Sequence, residues 1–419
     1  MSDQQPSAGS YVLLAAGSAG YFLFAFSWFS LAAYLVPVIE AFGLSGTQAG
    51  VLTGAVQLSY IPLSLVSGLA IDRLGSRQSL GAGLFVIGIA HLLRGSATTF
   101  VTILLPTLLL GVGGTAITFG LPKLVSELFP AERSGTMSSV YIVGATLGSA
   151  TVFAVGRPLV GPFLGGWRPF FRYTGAAVVA FAVLWTVLSS LLWSRLDTFS
   201  AGDDDQSFSL FSIRSDLVSV FTHYGLLLLV LVGTMRLFIT HGLSNWLPTI
   251  LEARGTSPAL AGTITSAFVL VRVLGIVAVP ALSDRFGTRR LPIIACGVTG
   301  AVGMTGLLVA GSVPGIVLSL ALVGVFVIGG LAPLVRAIPI EMDGIGPQLT
   351  AVATGLIFTV GEMGGFAGPF LIGLLRDLTG SFTPALVVLA GASLIAALAG
   401  WHMDEPGGVD RSAGAADSD

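Results

Sequence analysis

Arg236 and Arg272 each stand in the middle of a long apolar run, GLLLLVLVGTMRLFITHGLSNWLP and GTITSAFVLVRVLGIVAVPAL, with no carboxylate adjacent to either. A guanidinium near the centre of a bilayer costs at least a few kcal/mol, so it faces a protein interior or a water-filled cavity and pairs there. Its planar fork donates two parallel hydrogen bonds to a carboxylate-like group, which makes a small anion the natural partner. The one acid deep inside a comparable run is Glu362, in TVGEMGGFAG. It can neutralise an arginine permanently, or carry a coupling proton by alternating between an apolar surrounding and an arginine's field. One glutamate cannot neutralise both cations, and that favours anion contact.

Other side chains have weaker credentials. Arg336 (LAPLVRAIP) and Lys123 (FGLPKLVSE) lie within about two turns of the ends of their runs, where long cations can snorkel to the interface. They are candidate anion-relay residues near an inner mouth, or gate-closing ion pairs with Glu127 or Glu341. Trp28, with Tyr21, Phe24 and Tyr34, can wall a cavity or pack as an aromatic cluster. His241 is a candidate donor to a solute or a hydrogen-bonded core histidine. Arg94 and Arg157, near the ends of their runs, are expected to snorkel or to touch a loop.

These residues need apolar helices to hold them. The chain has 419 residues, of which 54% are hydrophobic and 10% charged, with a mean hydropathy of +0.92. Soluble domains carry about 25% charged residues, so this is the composition of an all-α membrane protein. At roughly 20 apolar residues per span, twelve transmembrane helices are expected, near 11–36, 47–71, 79–97, 100–128, 136–159, 171–194, 219–247, 258–282, 291–311, 314–339, 351–375 and 384–402. The runs are too long for the ten-residue alternation of an outer-membrane barrel. The 56 glycines are mostly packing residues, since small side chains let membrane helices approach. MSDQQPSAGS lacks the positive region of a signal peptide, so a retained first helix is expected. The single cysteine, Cys296, excludes a disulfide framework. No HExxH, nucleophile elbow, cysteine-histidine metal spacing or phosphate loop is present, so neither an enzyme nor a cofactor is expected.

The short connections DRLGSRQ (72–78) and DRFGTRR (284–290) are rich in arginine, which places both in the cytoplasm by the positive-inside rule, together with both termini. Arg168 and Arg172 fall outside in this scheme and weigh against it. YLVPVIEAFGLSGTQAGVLTGA (34–55) aligns with NWLPTILEARGTSPALAGTITSA (245–267), pairing Pro37 with Pro248, and the two arginine loops fall in register behind them. A near-constant offset marks two parallel six-helix repeats, with a substrate site where they face each other. The expected domains are residues 1–196 and 219–403, a polar cytoplasmic linker at 197–218 and an acidic disordered tail at 404–419. Lys123 is the only lysine; a salt-loving host and a GC-rich genome explain that equally well.

At this point a family resemblance becomes specific. Gly68-Leu69-Ala70-Ile71-Asp72-Arg73-Leu74-Gly75-Ser76-Arg77 resembles the loop motif of the major facilitator superfamily between helices 2 and 3, and Ser283-Asp284-Arg285-Phe286-Gly287-Thr288-Arg289-Arg290 is its echo between helices 8 and 9. With the spans and the repeat, the resemblance covers the whole chain. It implies helices 1, 4, 7 and 10 around a central cavity, and a gating role for Asp72, Arg73, Arg77, Asp284 and Arg285. SNWLPTILEARG, TFGLPKLVSELFPAERSG and GPFLIGLLRDLTGSFTPAL resemble the cyanate/2-nitroimidazole branch, and LLGVGGTAITFG the neighbouring nitrate/nitrite branch. The latter carries an arginine in helix 2, where this chain has Tyr60, which counts against nitrate.

The function expected is therefore a secondary transporter in a prokaryotic cell membrane, a monomer moving a small anion or weakly acidic organic solute by alternating access. Glu362 is the candidate carrier of a coupling proton, while proton symport, anion exchange and uniport all stay open, and nucleic acid is no partner. Two alternatives stay open: nitrate/nitrite transport, and proton-coupled efflux of amphipathic drugs. Gly161-Pro162-Phe163-Leu164-Gly165-Gly166 resembles the tail of an antiporter motif, although Arg157 interrupts the glycine spacing upstream.

Overall fold

A computed structural model describes residues 6–194, 196, 222–342, 345 and 347–406, without the side chains of 65 and 347–352. The linker expected at 197–218 and the tail beyond 406 lie outside the described residues. Twelve long helices follow one another: α1 Ala8–Ala33, α2 Gly46–Leu74, α3 Ser76–Arg94, α4 Phe100–Leu128, α5 Ala131–Leu164, α6 Trp167–Trp193, α7 Tyr224–Ala253, α8 Pro258–Phe286, α9 Arg290–Val309, α10 Val313–Glu341, α11 Pro347–Thr379 and α12 Thr383–His402. Helices satisfy every backbone N–H and C=O within the segment, which hydrocarbon demands. Ten of them are long and apolar enough to cross a membrane, and eleven with α2, which bends between Ser64 and Val66 just after Pro62. α3, with Arg77, His91 and Arg94 in its 19 residues, is the least apolar.

Local chemistry sets the ends. Ser45 and Gln48 form a reciprocal capping box at the start of α2, and Thr99 and Thr102 form another at α4. Gly75 and Gly287 occupy matching places in the two arginine loops, and both have positive φ, 82° and 61°. Only glycine takes that conformation without a steric cost, so the loop motif is in part a turn requirement. Two helices widen into π-helical stretches, Val152–Val160 in α5 and Val323–Gly330 in α10.

Two compact units emerge. Unit one is built from the described residues of Met1–Asp205 together with Ser244–Leu270, and unit two from those of Gln206–Leu243 and Val271–Asp419. The last part of α7 and the first part of α8 thus pack with the first six helices.

Within the units, glycines set the helix spacing. A Cβ on Gly148 of α5 would lie 2.2 Å from the Phe22 carbonyl oxygen of α1, and one on Gly83 of α3 2.8 Å from the Gly113 carbonyl of α4. In unit two a Cβ on Gly297 of α9 would meet the Ala397 backbone nitrogen of α12 at 2.6 Å. Water provides no hydrophobic drive inside a bilayer, so this close van der Waals fit is what holds the helices together. Gly148→Val should therefore destabilise the protein by about 1–3 kcal/mol through overpacking. Gly135→Ala, where a Cβ meets nothing within 4 Å, should not. Thermal unfolding in detergent micelles reads the difference, and equal melting points for the two variants would refute the packing argument.

Candidate functional site

Unit two brings together five of the candidate residues. α7 and α11 run in tight contact: a Cβ on Gly361 would lie 2.7 Å from Leu237 Cδ1, on Gly364 2.6 Å from the Thr234 carbonyl, and on Gly368 2.2 Å from the Phe238 carbonyl. α8 and α10 approach as closely, with Gly329 2.2 Å from the Arg272 carbonyl oxygen by the same measure. Arg236 is thereby held beside Glu362, and Arg272 beside α10.

Arg236 lies within the electrostatic reach of Glu362, Arg336 and Arg272. The field of Arg236 and Arg272 reaches His241, one and a half turns further along α7. Arg336 lies over the ring of Phe358, 5.3 Å from its centroid. Phe358 is four residues before Glu362, hence on the same face of α11 one turn away.

Arg236 thus stands beside Glu362 and within the field of Arg336 and Arg272. Arg236 and Glu362 are half-buried while Arg336 is exposed. Arg236 Nε and Glu362 Oε2 are both buried and make no hydrogen bond to described residues. Buried polar atoms of this kind call for a functional explanation.

Lys123 and Trp28 belong to unit one. Lys123 Nζ donates to Asp72 Oδ1 at 2.5 Å. The partner is thus neither Glu127 nor Glu341, the acids that the sequence left open as alternatives. Glu127 instead accepts a hydrogen bond from Ser76 Oγ at the start of α3. Trp28 stacks on Phe29 with ring centroids 5.2 Å apart, and neighbours Phe24 and Tyr60 at 5.5 and 6.1 Å. Tyr60, standing where α8 has Arg272, exchanges a 2.8 Å hydrogen bond with Thr118.

The second arginine loop is organised by a residue the sequence reading passed over. Arg289 clamps Glu341 with two bonds, Nε–Oε2 2.7 Å and Nη2–Oε1 2.6 Å, and reaches Asp284 at 2.5 Å and Ser283 at 2.9 Å. Glu341 is thus the partner of Arg289 and not of Arg336. The hydrogen bonds to Glu341, foremost, and to Asp284 hold the Arg289 guanidinium well above the usual arginine range, so it stays charged at any physiological pH. Glu405 accepts from Thr288 Oγ1 at 2.7 Å and from the Arg289 backbone N–H, so the first turn after α12 is docked on this loop. Arg73 and Arg285 are exposed at their loops, and Arg77 offers its carbonyl to Trp185 Nε1 at 3.0 Å.

Two arginines expected at interfaces are not there. Arg94 has no exposed surface; its Nε donates to Thr107 Oγ1 at 3.0 Å and its Nη1 to the Ser27 carbonyl at 2.9 Å. It ties α3 to α4 and α1, a role that its place at a helix end hides. Arg157, in the π-helical stretch of α5, forms an ion pair with Glu252 of α7, both nearly buried at 17% and 13% side-chain exposure. A small cavity beside the pair is lined by Ala33, Phe153, Pro248, Pro258 and Gly262. Sequence could have suggested this pair only by asking which acid Arg157 meets 95 residues away.

This fold and these charges are those of a solute carrier. The profile of the Major Facilitator Superfamily matches residues 17–369, and again 229–417. The chain belongs to that superfamily, and it is a multi-pass membrane transporter. An uncharacterised transporter of Bacillus subtilis is 26% identical over 85% of this chain and 84% of its own length. The 3-(3-hydroxy-phenyl)propionate transporter of Escherichia coli is 27% identical over 86% of each. Among solved structures, a crystal structure of a nucleoside transporter superposes with a TM-score of 0.74 at 16% identity, covering 94% of this chain and 99% of the other.

Breaking the Arg157–Glu252 pair leaves a charge in a mostly buried place, so Glu252→Gln should cost about 2 kcal/mol of stability. The swap Arg157→Glu with Glu252→Arg should recover part of it. A double-mutant cycle on melting in detergent reads the coupling; a coupling near zero would show that the two side chains act independently.

Proposed function

We propose that this carrier moves a small organic anion across a prokaryotic cell membrane by alternating access, with Arg236 and Arg272 contacting the anion. The observation that carries the reading is Arg236 at mid-helix, with a buried Nε that no described residue accepts, beside Glu362 and within the field of Arg336 and Arg272. An excess of positive charge at membrane depth needs an anionic counterpart, and the affinity stays moderate because a cargo must also leave. The Escherichia coli relative, named for a carboxylic acid, supports the same substrate class. The segments 244–255, 118–135 and 368–386 support a finer placement near the cyanate/2-nitroimidazole branch.

In this reading His241 is a further donor to the solute, and Lys123 and Trp28 serve on the side of the first repeat. Asp72 with Lys123, and Asp284 with Arg289 and Glu341, hold the arginine loops shut in one state and release them in the other, while Arg73, Arg77 and Arg285 anchor the loops at the cytoplasmic face. The protein works as a monomer, with both termini in the cytoplasm. Glu362 takes up and releases the coupling proton. Efflux of lipophilic cations fits poorly with two arginines in the middle of apolar helices.

Arg236→Gln and Arg272→Gln should each abolish uptake of labelled organic anions into proteoliposomes, with insertion intact. Unchanged kinetics in both variants would refute the site. Glu362→Gln should remove the response of net uptake to a proton gradient while sparing exchange of internal for external solute. A variant that still responds as the wild type does would show that the proton travels elsewhere.

A further inference from the structure

α9 begins on a residue that cannot cap it. The N–H groups that open a helix have no partner inside it, and serine, threonine, asparagine or aspartate commonly supplies one. Here the N-cap is Arg289, whose side chain makes no capping bond. A residue 116 positions further along the chain takes that place. Glu405, three residues past the end of α12, accepts from the Arg289 backbone N–H with Oε1 and from the Arg290 N–H with Oε2 at 3.3 Å. Its Oε2 also takes the Thr288 hydroxyl at 2.7 Å. A carboxylate here complements the positive end of the helix dipole. The segment that carries it is pinned twice more. Arg290 Nη2 donates to the Trp401 carbonyl at 2.6 Å, with its guanidinium 5.3 Å from the centre of the Trp401 ring. Met403 is buried.

Arg289 makes this contact more than a cap. Its backbone N–H receives Glu405, while its side chain grips Glu341 at the end of α10 through two bonds and reaches Asp284 and Ser283 at the end of α8. One residue thus joins the segment after α12 to the ends of three helices. The first arginine loop is fastened otherwise: Ser76 bonds Glu127 of α4, and Arg77 gives its carbonyl to Trp185 of α6.

We propose that Glu405 is a positioning residue for transport. It fixes the backbone of Arg289 and, through it, the grip on Glu341 and Asp284, so that the second arginine loop opens only as the C-terminal segment lets go. This rests on the gating reading of that loop above and is independent of the cargo. A free arginine side chain has many rotamers, and two bonds to one carboxylate select few of them. Holding the Arg289 backbone removes part of that freedom before the grip forms. A cap shifts the opening of a helix end several-fold without forbidding it, as suits a contact released in every cycle.

The test needs no cargo. Amide hydrogen exchange of the full chain in lipid nanodiscs, read by mass spectrometry, compares the wild type with Glu405→Ala, Arg289→Gln and their combination. Asp404→Asn, at the exposed neighbour of Glu405, serves as a charge control and should change nothing. Glu405→Ala should speed exchange about five-fold in the first turn of α9, the loss of one cap. It should also speed exchange at residues 336–341, the end of α10, to which Glu405 itself makes no hydrogen bond among the described residues. Arg289→Gln should do the same there, and the double variant should go no further, as expected of two residues acting in series. If Glu405→Ala loosens α9 alone while Arg289→Gln frees the end of α10, Glu405 is a local cap: the proposal is overturned and the gating reading stands. No acceleration by Glu405→Ala, or an equal one from Asp404→Asn, overturns it as well. If Arg289→Gln leaves the end of α10 as in the wild type, the gating reading falls with it.

Discussion

The rest of the site depends on one electrostatic constraint: the half-buried guanidinium of Arg236 stands beside the carboxylate of Glu362 and within the field of two further arginines. Arg236, Arg272 and Arg336 come from three helices, and Glu362 from a fourth. Burying like charges together is unfavourable unless something else balances them, and a permanent protein partner would silence the site for transport. In the proposed reading, a cargo binds against these arginines and then leaves. The tight glycine contacts of α7 with α11 and of α8 with α10 serve this end. They fix the backbones that carry these side chains.

The ion pairs elsewhere divide the work differently. Arg289 with Glu341, Asp284 and Ser283, and Lys123 with Asp72, sit at helix ends where solvent weakens each pair. Such contacts can form and break at modest cost. Arg94 is the opposite case. With no exposed surface and with neutral partners on α1 and α4, it acts as a permanent cross-brace.

Much of this was legible in the sequence because charge in an apolar run is conspicuous. Arg236, Arg272 and Glu362 announce themselves by their surroundings, and Gly75 and Gly287 by a repeated loop. Partner choice was not legible. Lys123 has Glu127 four residues away, yet it bonds Asp72 from another helix; Arg157 finds Glu252 and Glu341 finds Arg289 across long stretches of chain. Helical periodicity gives the face of a helix but not which helix comes to meet it. Ser244–Leu270 packs into unit one, where Gly262 lies against the Phe153 carbonyl of α5 and Glu252 pairs with Arg157; neither contact can be read from the sequence.

The π-helical stretch in α5 has a bearing on how this protein can diverge. A π turn accommodates one residue more than the α-helical turn it replaces, and each residue of an α-helix is worth about 100° of rotation. Arg157 lies inside Val152–Val160, and the carbonyl of Gly156 next to it accepts the Tyr34 hydroxyl at 2.8 Å. Loss of a single residue here would let the helix tighten, swinging everything on one side of the deletion a quarter-turn or more relative to the other. The register of this segment, and not only its composition, is under constraint: it tolerates exchanges of side chain far better than changes of length.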